Sequence, residues 1–151
     1  LSAIIDACWN AAKRSCRKSG NGKGYLANEF DLDKHKFIAA TFKEQYNTIS
    51  PPYMYHIGLS YNAKKGQFYW EQPVGSDPLP LEEGSFTRWN RGYPLAKNLL
   101  ESNRCVLNAQ TSTAFNLFWQ NENCKSVPRR YVCQMNSCDT DNYCESYKFH
   151  S

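Results

Sequence analysis

Seven cysteines in a chain of 151 residues constrain this fold more than any other feature. Cys8, Cys16, Cys105, Cys124, Cys133, Cys138 and Cys144 are scattered rather than grouped as repeated C-x-x-C pairs, which favours disulfides over a zinc site. Disulfides place the chain in an oxidising compartment, so an extracellular location is expected. Spacing alone does not pair them: with one thiol left over, on the order of a hundred connectivities are open. The length, with 41% hydrophobic and 15% aromatic residues, suits one sizeable core and a single domain with a short tail. No apolar run approaches the roughly 20 residues that cross a bilayer, so no membrane insertion is expected of this segment. The start "LSAIIDACWN" lacks the basic flank and cleavage site of a signal peptide, and the last stretch "NSCDTDNYCESYKFHS" stops abruptly. Both suggest a mature or excised segment.

A net charge of +4 is far below what a dedicated nucleic-acid binder carries, so no nucleic-acid partner is expected. The basic residues concentrate in "KRSCRKSGNGK", where Lys13, Arg14, Arg17, Lys18 and Lys23 surround a helix end. Cations there complement the negative end of the helix dipole; a patch for anionic glycans or acidic protein surfaces is the alternative. The helix itself is expected over Ile4 to Lys18, stopped by Gly20, Asn21, Gly22 and Gly24. A second helix fits Asp31 to Tyr46, capped by Asp31 or Asp33, with Leu32, Phe37, Ile38, Phe42 and Tyr46 on one apolar face. Pro51 and Pro52 end it.

Strand composition follows. Tyr55 to Tyr61 and Gln67 to Glu71, joined by the turn residues "NAKKG", read as a hairpin. Between Gln72 and Arg104 there is too much Pro and Gly for a regular element and too many residues for an idle connection. "CVLNAQ", "FNLFWQ" and "RRYVCQM" then read as three short strands.

Taken in order, these pieces resemble a C-type lectin-like domain from about Trp9 to Gln134. Trp9, Ala12 and Cys16 match that family's first-helix pattern. "YLANEFDLDKHKFI" is similar to its link into the second helix, and "HIGLS" to its "WIGL" strand, with His56 in place of Trp. "FYWEQ", the Trp-x-x-Gly-x-Pro of Trp89, Gly92 and Pro94, then "CVLN", "FWQNENC" and "YVCQ" follow in the family's sequence. The resemblance implies an α+β fold with two helices flanking small antiparallel sheets and a long irregular loop. Residues 1–135 would form the domain and 136–151 a short cysteine-containing tail or the start of a linker. It also implies bridges Cys16 to Cys133 and Cys105 to Cys124, the first of which would contribute about 4 to 5 kcal/mol in the chain-entropy model. Cys138 and Cys144 would then pair within the tail. Cys8 is left over: its partner lies in an absent segment, or on another chain, or it stays a buried free thiol.

In this family the sugar site, where present, is a calcium ion held by a Glu-Pro-Asn or Gln-Pro-Asp triplet and by an Asn-Asp pair after a Trp. Calcium needs about six to eight oxygens, several of them anionic. Here the triplet position reads Tyr93, Pro94, Leu95, and the pair after Trp119 reads Gln120, Asn121. No carboxylate remains, so calcium at the primary site, and with it any cofactor, is not expected. A secondary calcium site built from Asp77, Glu82 and Glu83 is conceivable, although charged loop residues are more often solvated surface. Gln134, where many members carry Glu, argues mildly against a further calcium near the core.

No enzymatic signature appears. His35, His56 and His150 form no H-x-x-x-H or Cys/His ligand pair, and His56 is expected to pack at a strand position. No nucleophile elbow or phosphate-cradling glycine loop is present. Glu71 and Glu82 carry no pattern that would pair them. What remains is a non-catalytic recognition module whose long-loop face offers Arg88, Asn90, Arg91, Tyr93 and Leu95, with Gln120 and Asn121 beside them; Tyr and Arg are enriched at interface centres. Trp89, Trp70 and Trp119 are expected to pack. The expected partner is a protein, bound without calcium. A carbohydrate, held through relocated calcium ligands or through none, is the alternative, and a structural unit joined to a neighbour through Cys8 is another.

Overall fold

The computed structural model of the chain describes residues 7–95, 103–125 and 128–136. Cys138, Cys144 and His150 lie outside the described residues. The first helix, α1, is Trp9–Lys18. It starts later than Ile4 because Ala7 is extended, exchanging two backbone hydrogen bonds with Arg129 at 2.9 and 3.0 Å, and Cys8 is an extended N-cap. Arg17 and Lys18 occupy its last turn, as the dipole favours. Lys13 and Arg17 also reach the buried carboxylate of Glu71 at 3.3 and 3.2 Å, an attachment that the sequence did not suggest. A 3-10 turn at Gly20–Gly22 leads into β1, Tyr25–Leu26.

The second helix, α2, is Leu32–Gln45, capped by Asp31, whose carboxylate accepts the Lys34 N–H at 2.7 Å. Its buried face differs from the expected one. His35, Ile38, Ala39 and Phe42 are buried, whereas Phe37 is 51% exposed and Leu32 is also exposed. At 3.6 residues per turn His35, Ile38, Ala39, Phe42 and Tyr46 form a continuous stripe, and Phe37 lies on the opposite side. An apolar residue was taken for core where a histidine holds the position.

The hairpin forms as β2, Met54–Asn62, and β3, Gln67–Trp70. Within the long stretch that follows, Leu79–Pro80 makes a two-residue strand, β4, on the outer edge of β3. After it come β5, Cys105–Gln110, and β6, Leu117–Glu122. Phe115 and Asn116, expected in that strand, precede it, Phe115 ending a bend. "RRYVCQM" is two strands rather than one: β7, Arg130–Tyr131, runs parallel to β2, and β8, Cys133–Gln134, pairs antiparallel with β1. Val132 between them changes sheets, its N–H bonding to His56 and its carbonyl to Ala27.

The larger sheet has the order β4-β3-β2-β5-β6, with β7 pairing Tyr55 and His56 of β2, residues that β3 leaves unpaired. Gly58 sits where β2 passes under β1; a Cβ there would lie 2.4 Å from the Leu26 carbonyl oxygen, so only glycine fits. The main core fills the space between α2 and this sheet, with Ile38, Phe42, Tyr55, Ile57 and Trp119 fully or almost fully buried. A second cluster joins α1 to β1 and β8 around Cys16, Cys133, Trp9 and Leu26. Cys16–Cys133 and Cys105–Cys124 are both disulfides, the pairing that the resemblance implied. His56 is completely buried, with its Nε2–H donating to the Ala7 carbonyl at 2.8 Å.

One charged group lies at the centre of the core. Glu29, 0% exposed, accepts the indole N–H of Trp119 at 2.7 Å, Nδ2–H of Asn108 at 2.8 Å and Nδ1–H of His35 at 2.7 Å. Glu29→Ala would strand three buried donors, so urea denaturation should register a loss of at least about 3 kcal/mol. Glu29→Gln should cost clearly less, because the buried Oδ1 of Asn108 has no partner and a turned Asn108 amide can accept the new N–H. Equal losses for the two variants would contradict this assignment of the hydrogen bonds.

Near the same place the Lys34 ammonium is held by Asn28 Oδ1 and, at 2.9 Å, by Gln134 Oε1. Burial lowers its pKa to about 8, against the raising effect of Glu29 and Asp31. Between about 8 and the ordinary lysine value the unfolded chain binds more protons than the folded one, so this group's contribution to stability rises with pH in that window. Urea midpoints followed from neutral to about pH 10 should climb more steeply for the native chain than for Lys34→Met.

Candidate functional site

The loop from Arg88 to Leu95 is fastened to β6 by main chain first. The Trp119 N–H donates to the Arg88 carbonyl at 2.7 Å and the Asn90 N–H to the Trp119 carbonyl at 2.9 Å, a short parallel bridge centred on Trp89 and Trp119. Trp89 packs edge-on against Trp119, with ring centroids 5.5 Å apart, and tilts against Phe68 at 5.0 Å. Its role is to seat the loop on the core, and Trp70 and Trp119 are core residues outright. Arg88 lies flat over the Phe118 ring at 4.5 Å.

Beyond Asn90 the chain turns sharply. Asn90 Oδ1 accepts the Arg91 N–H at 2.9 Å, its carbonyl accepts the Tyr93 N–H at 2.9 Å, and Gly92 supplies φ +84°. The Tyr93–Pro94 peptide is cis. Arg91 and Leu95 come out exposed, and Tyr93 half-buried.

Asn121 holds the second part of the loop. It is buried on β6, its Oδ1 accepting the Leu95 N–H at 2.8 Å and its Nδ2–H donating to the Asn103 carbonyl at 2.8 Å. One amide therefore ties residue 95 to residue 103. A neutral amide can bridge a donor and an acceptor; a carboxylate could not. Gln120, next to it, is half-buried on the other face of the strand. Beyond it, burial raises the Glu122 pKa, with Arg129, bound to both its oxygens at 3.1 Å, acting in the opposite direction.

The candidate residues named from sequence therefore lie along one loop and one strand, with Arg88 over the Phe118 ring; Trp89 packs as expected. Sequence reading identified Asn121 as a weakened metal ligand and missed Asn103, whose main-chain carbonyl carries no sequence signal. The described donors fit a calcium ion poorly: Tyr93 and Leu95 offer no carboxylate, and Asn121 contributes a neutral amide whose oxygen already accepts a main-chain N–H. Asp77, Glu82 and Glu83 are exposed. Among the described residues no three His, Cys, Asp or Glu side chains are grouped to hold a metal.

The family model for the lectin C-type domain matches residues 6–135. The chain belongs to the C-type lectin domain family. It is 29% identical over 147 residues to C-type lectin domain-containing protein 160 of Caenorhabditis elegans, a match spanning 93% of this chain and 21% of that relative, so the chain spans about a fifth of the relative's length. The solution structure of a lectin C-type domain from a C. elegans protein superposes with TM-score 0.66 at 26% identity, covering 99% of this chain and 88% of that one. The SPL-1–GlcNAc complex superposes at TM-score 0.60 and 17% identity, covering 89% and 84%, a likeness of fold. Among the described residues no helix is long and apolar enough to cross a membrane.

Asn121→Ala removes both ties at once. It should cost about 1–2 kcal/mol in urea denaturation and should speed tryptic cleavage after Arg91 with the core still folded. Unchanged cleavage would mean that the loop is held by something other than this amide.

Proposed function

We propose that this C-type lectin domain is an extracellular, non-catalytic recognition module that binds a protein partner through the Arg91–Leu95 face without calcium. The observation that supports it most is the position of Asn121: its side-chain oxygen accepts the Leu95 N–H and its amide N–H binds the Asn103 carbonyl, a neutral tie at the place where the family's calcium-binding members carry a carboxylate. Exposed Arg91, half-buried Tyr93 and 37% exposed Leu95 stand side by side on a turn fixed by Asn90, the mixture of guanidinium, phenol and aliphatic groups common at the centres of protein interfaces. The two disulfides accord with an oxidising compartment.

A glycan ligand is the second reading, favoured by the fold neighbour solved with GlcNAc. Without a cation, it would rest on Arg91, Tyr93 and Gln120 alone. The readings separate in two measurements. Thermal unfolding should be indifferent to millimolar calcium and to chelator, and immobilised chain should retain binders from a panel of secreted and cell-surface proteins in the presence of chelator, with Tyr93→Ala abolishing retention. A calcium-dependent rise in melting temperature, or binding confined to a glycan array, would overturn the protein-ligand reading.

A further inference from the structure

A second surface, separate from the Arg91–Leu95 turn, lies between the start of α2 and the first half of the long loop. Here a groove of about 330 Å³ is walled by Phe30, Leu79, Pro80 and Leu81 and floored by Trp70 and Phe86. Phe30 and Leu79 are 46% and 44% exposed, a large apolar area to leave facing water. Neither is loosely placed. Phe30 stands edge-on to Trp70 with centroids 5.9 Å apart, and Leu79 is paired in register with Trp70 where β4 meets β3. The floor is rigid as well, because Phe86 and Trp70 each pack edge-on against the buried Trp119. A groove whose walls are already ordered loses little entropy on binding.

Its polar groups say what could occupy it. The lining offers Glu82 and Ser85, and the Ser85 hydroxyl is already donating to the Glu82 carbonyl. A sugar, which must replace the water on several hydroxyls, would find too few partners here. An apolar side chain would not need them. Exposed carboxylates adjoin the walls along the chain on both sides: Glu82 and Glu83 on the loop, and at the start of α2 Asp33 and the capping Asp31, with exposed Lys36 a turn further on. The Lys34 ammonium stands 5.5 Å from the Phe30 ring, but is engaged with Asn28 and Gln134.

We propose that this groove docks a partner polypeptide through one large apolar side chain flanked by lysine or arginine. The anchor fills the space over Trp70 and Phe86, and the flanking cations meet Glu82, Glu83, Asp31 and Asp33 at the rim. The proposal does not depend on the use of the Tyr93 face.

The test is a nuclear magnetic resonance titration of the whole chain with four probes: the capped peptides Lys-Lys-Phe-Lys-Lys, Lys-Lys-Ser-Lys-Lys and Glu-Glu-Phe-Glu-Glu, and N-acetylglucosamine. The first should shift the amides of Phe30 and of residues 79–86 together with the Trp70 indole N–H. The serine peptide should bind about tenfold more weakly, from loss of the buried ring, and the glutamate peptide and the sugar should leave the groove unmoved. Leu79→Ser should weaken the first peptide about tenfold. The double variant Glu82→Gln with Glu83→Gln should weaken it several-fold and flatten its salt dependence, while Tyr93→Ala should leave it unchanged. Equal binding by the glutamate peptide, groove shifts caused by the sugar, or no groove shift with the lysine–phenylalanine peptide would overturn the proposal. Since Tyr93→Ala bears on the other face alone, the two functional readings fail independently.

Discussion

A single buried carboxylate, Glu29, joins most of what gives this domain its shape. It precedes α2, yet its two oxygens receive donors from α2 through His35, from β5 through Asn108 and from β6 through Trp119. Enclosing a carboxylate in a core is costly unless its lone pairs are filled, and three short charge-assisted hydrogen bonds offset that cost here. Its field extends to Tyr55, which shares Asn108 at 3.3 Å; burial foremost, and then the Glu29 charge, hold that hydroxyl protonated well above the ordinary tyrosine range. The network has geometric consequences that a purely apolar core would lack, because each donor fixes an orientation as well as a distance.

Trp119 carries that fixity outward. Its indole is pinned to Glu29 on one side, while its ring supports Trp70, Phe86 and Trp89 and its main chain binds Arg88 and Asn90. Two points near the middle of the long loop therefore rest on one side chain: Phe86 on the side of the groove and Trp89 on the side of the Tyr93 turn. This accounts for how the described part of that irregular backbone is held with no strand longer than β4. Two residues further along β6, Asn121 closes the loop by main-chain hydrogen bonds to residues 95 and 103. Alternation along the strand puts Trp119 and Asn121 on the same face, the first inside the core and the second at its margin.

How much of this could be read from sequence depends on the range of the interaction. Features set by neighbouring residues were legible: the end of α1 in its glycines, the Asp31 cap, and the hairpin from "NAKKG". The disulfide pairing was not legible from the cysteines themselves and came through the family resemblance, as did the position of Trp89, Gly92 and Pro94. Glu29 was invisible because its donors stand 6, 79 and 90 residues away and nothing distinguishes it locally from Asp31 or Asp33. The same ignorance misassigned part of α2: with no acceptor in view, nothing puts His35 on the buried face, and Phe37 reads as core although it is exposed. "RRYVCQM" was read as one strand because its composition is continuous; the change of sheet at Val132 follows from which neighbours reach its N–H and carbonyl.

The two exposed apolar positions of the long loop, Leu79 and Leu95, differ in what holds them. Leu79 is held by the ladder of β4 on β3, so its placement follows from the sheet and is insensitive to the Asn121 amide. Leu95 depends on that amide directly, through its own N–H. The described connections between them run through buried groups, Trp119 and also Phe68, which packs on Trp89 and accepts the Leu81 N–H, and these are too deeply packed to yield to a surface change. Each surface can thus vary in sequence without disturbing the other. A domain arranged in this way can acquire, lose or combine partners on the two faces while the core that positions both stays the same.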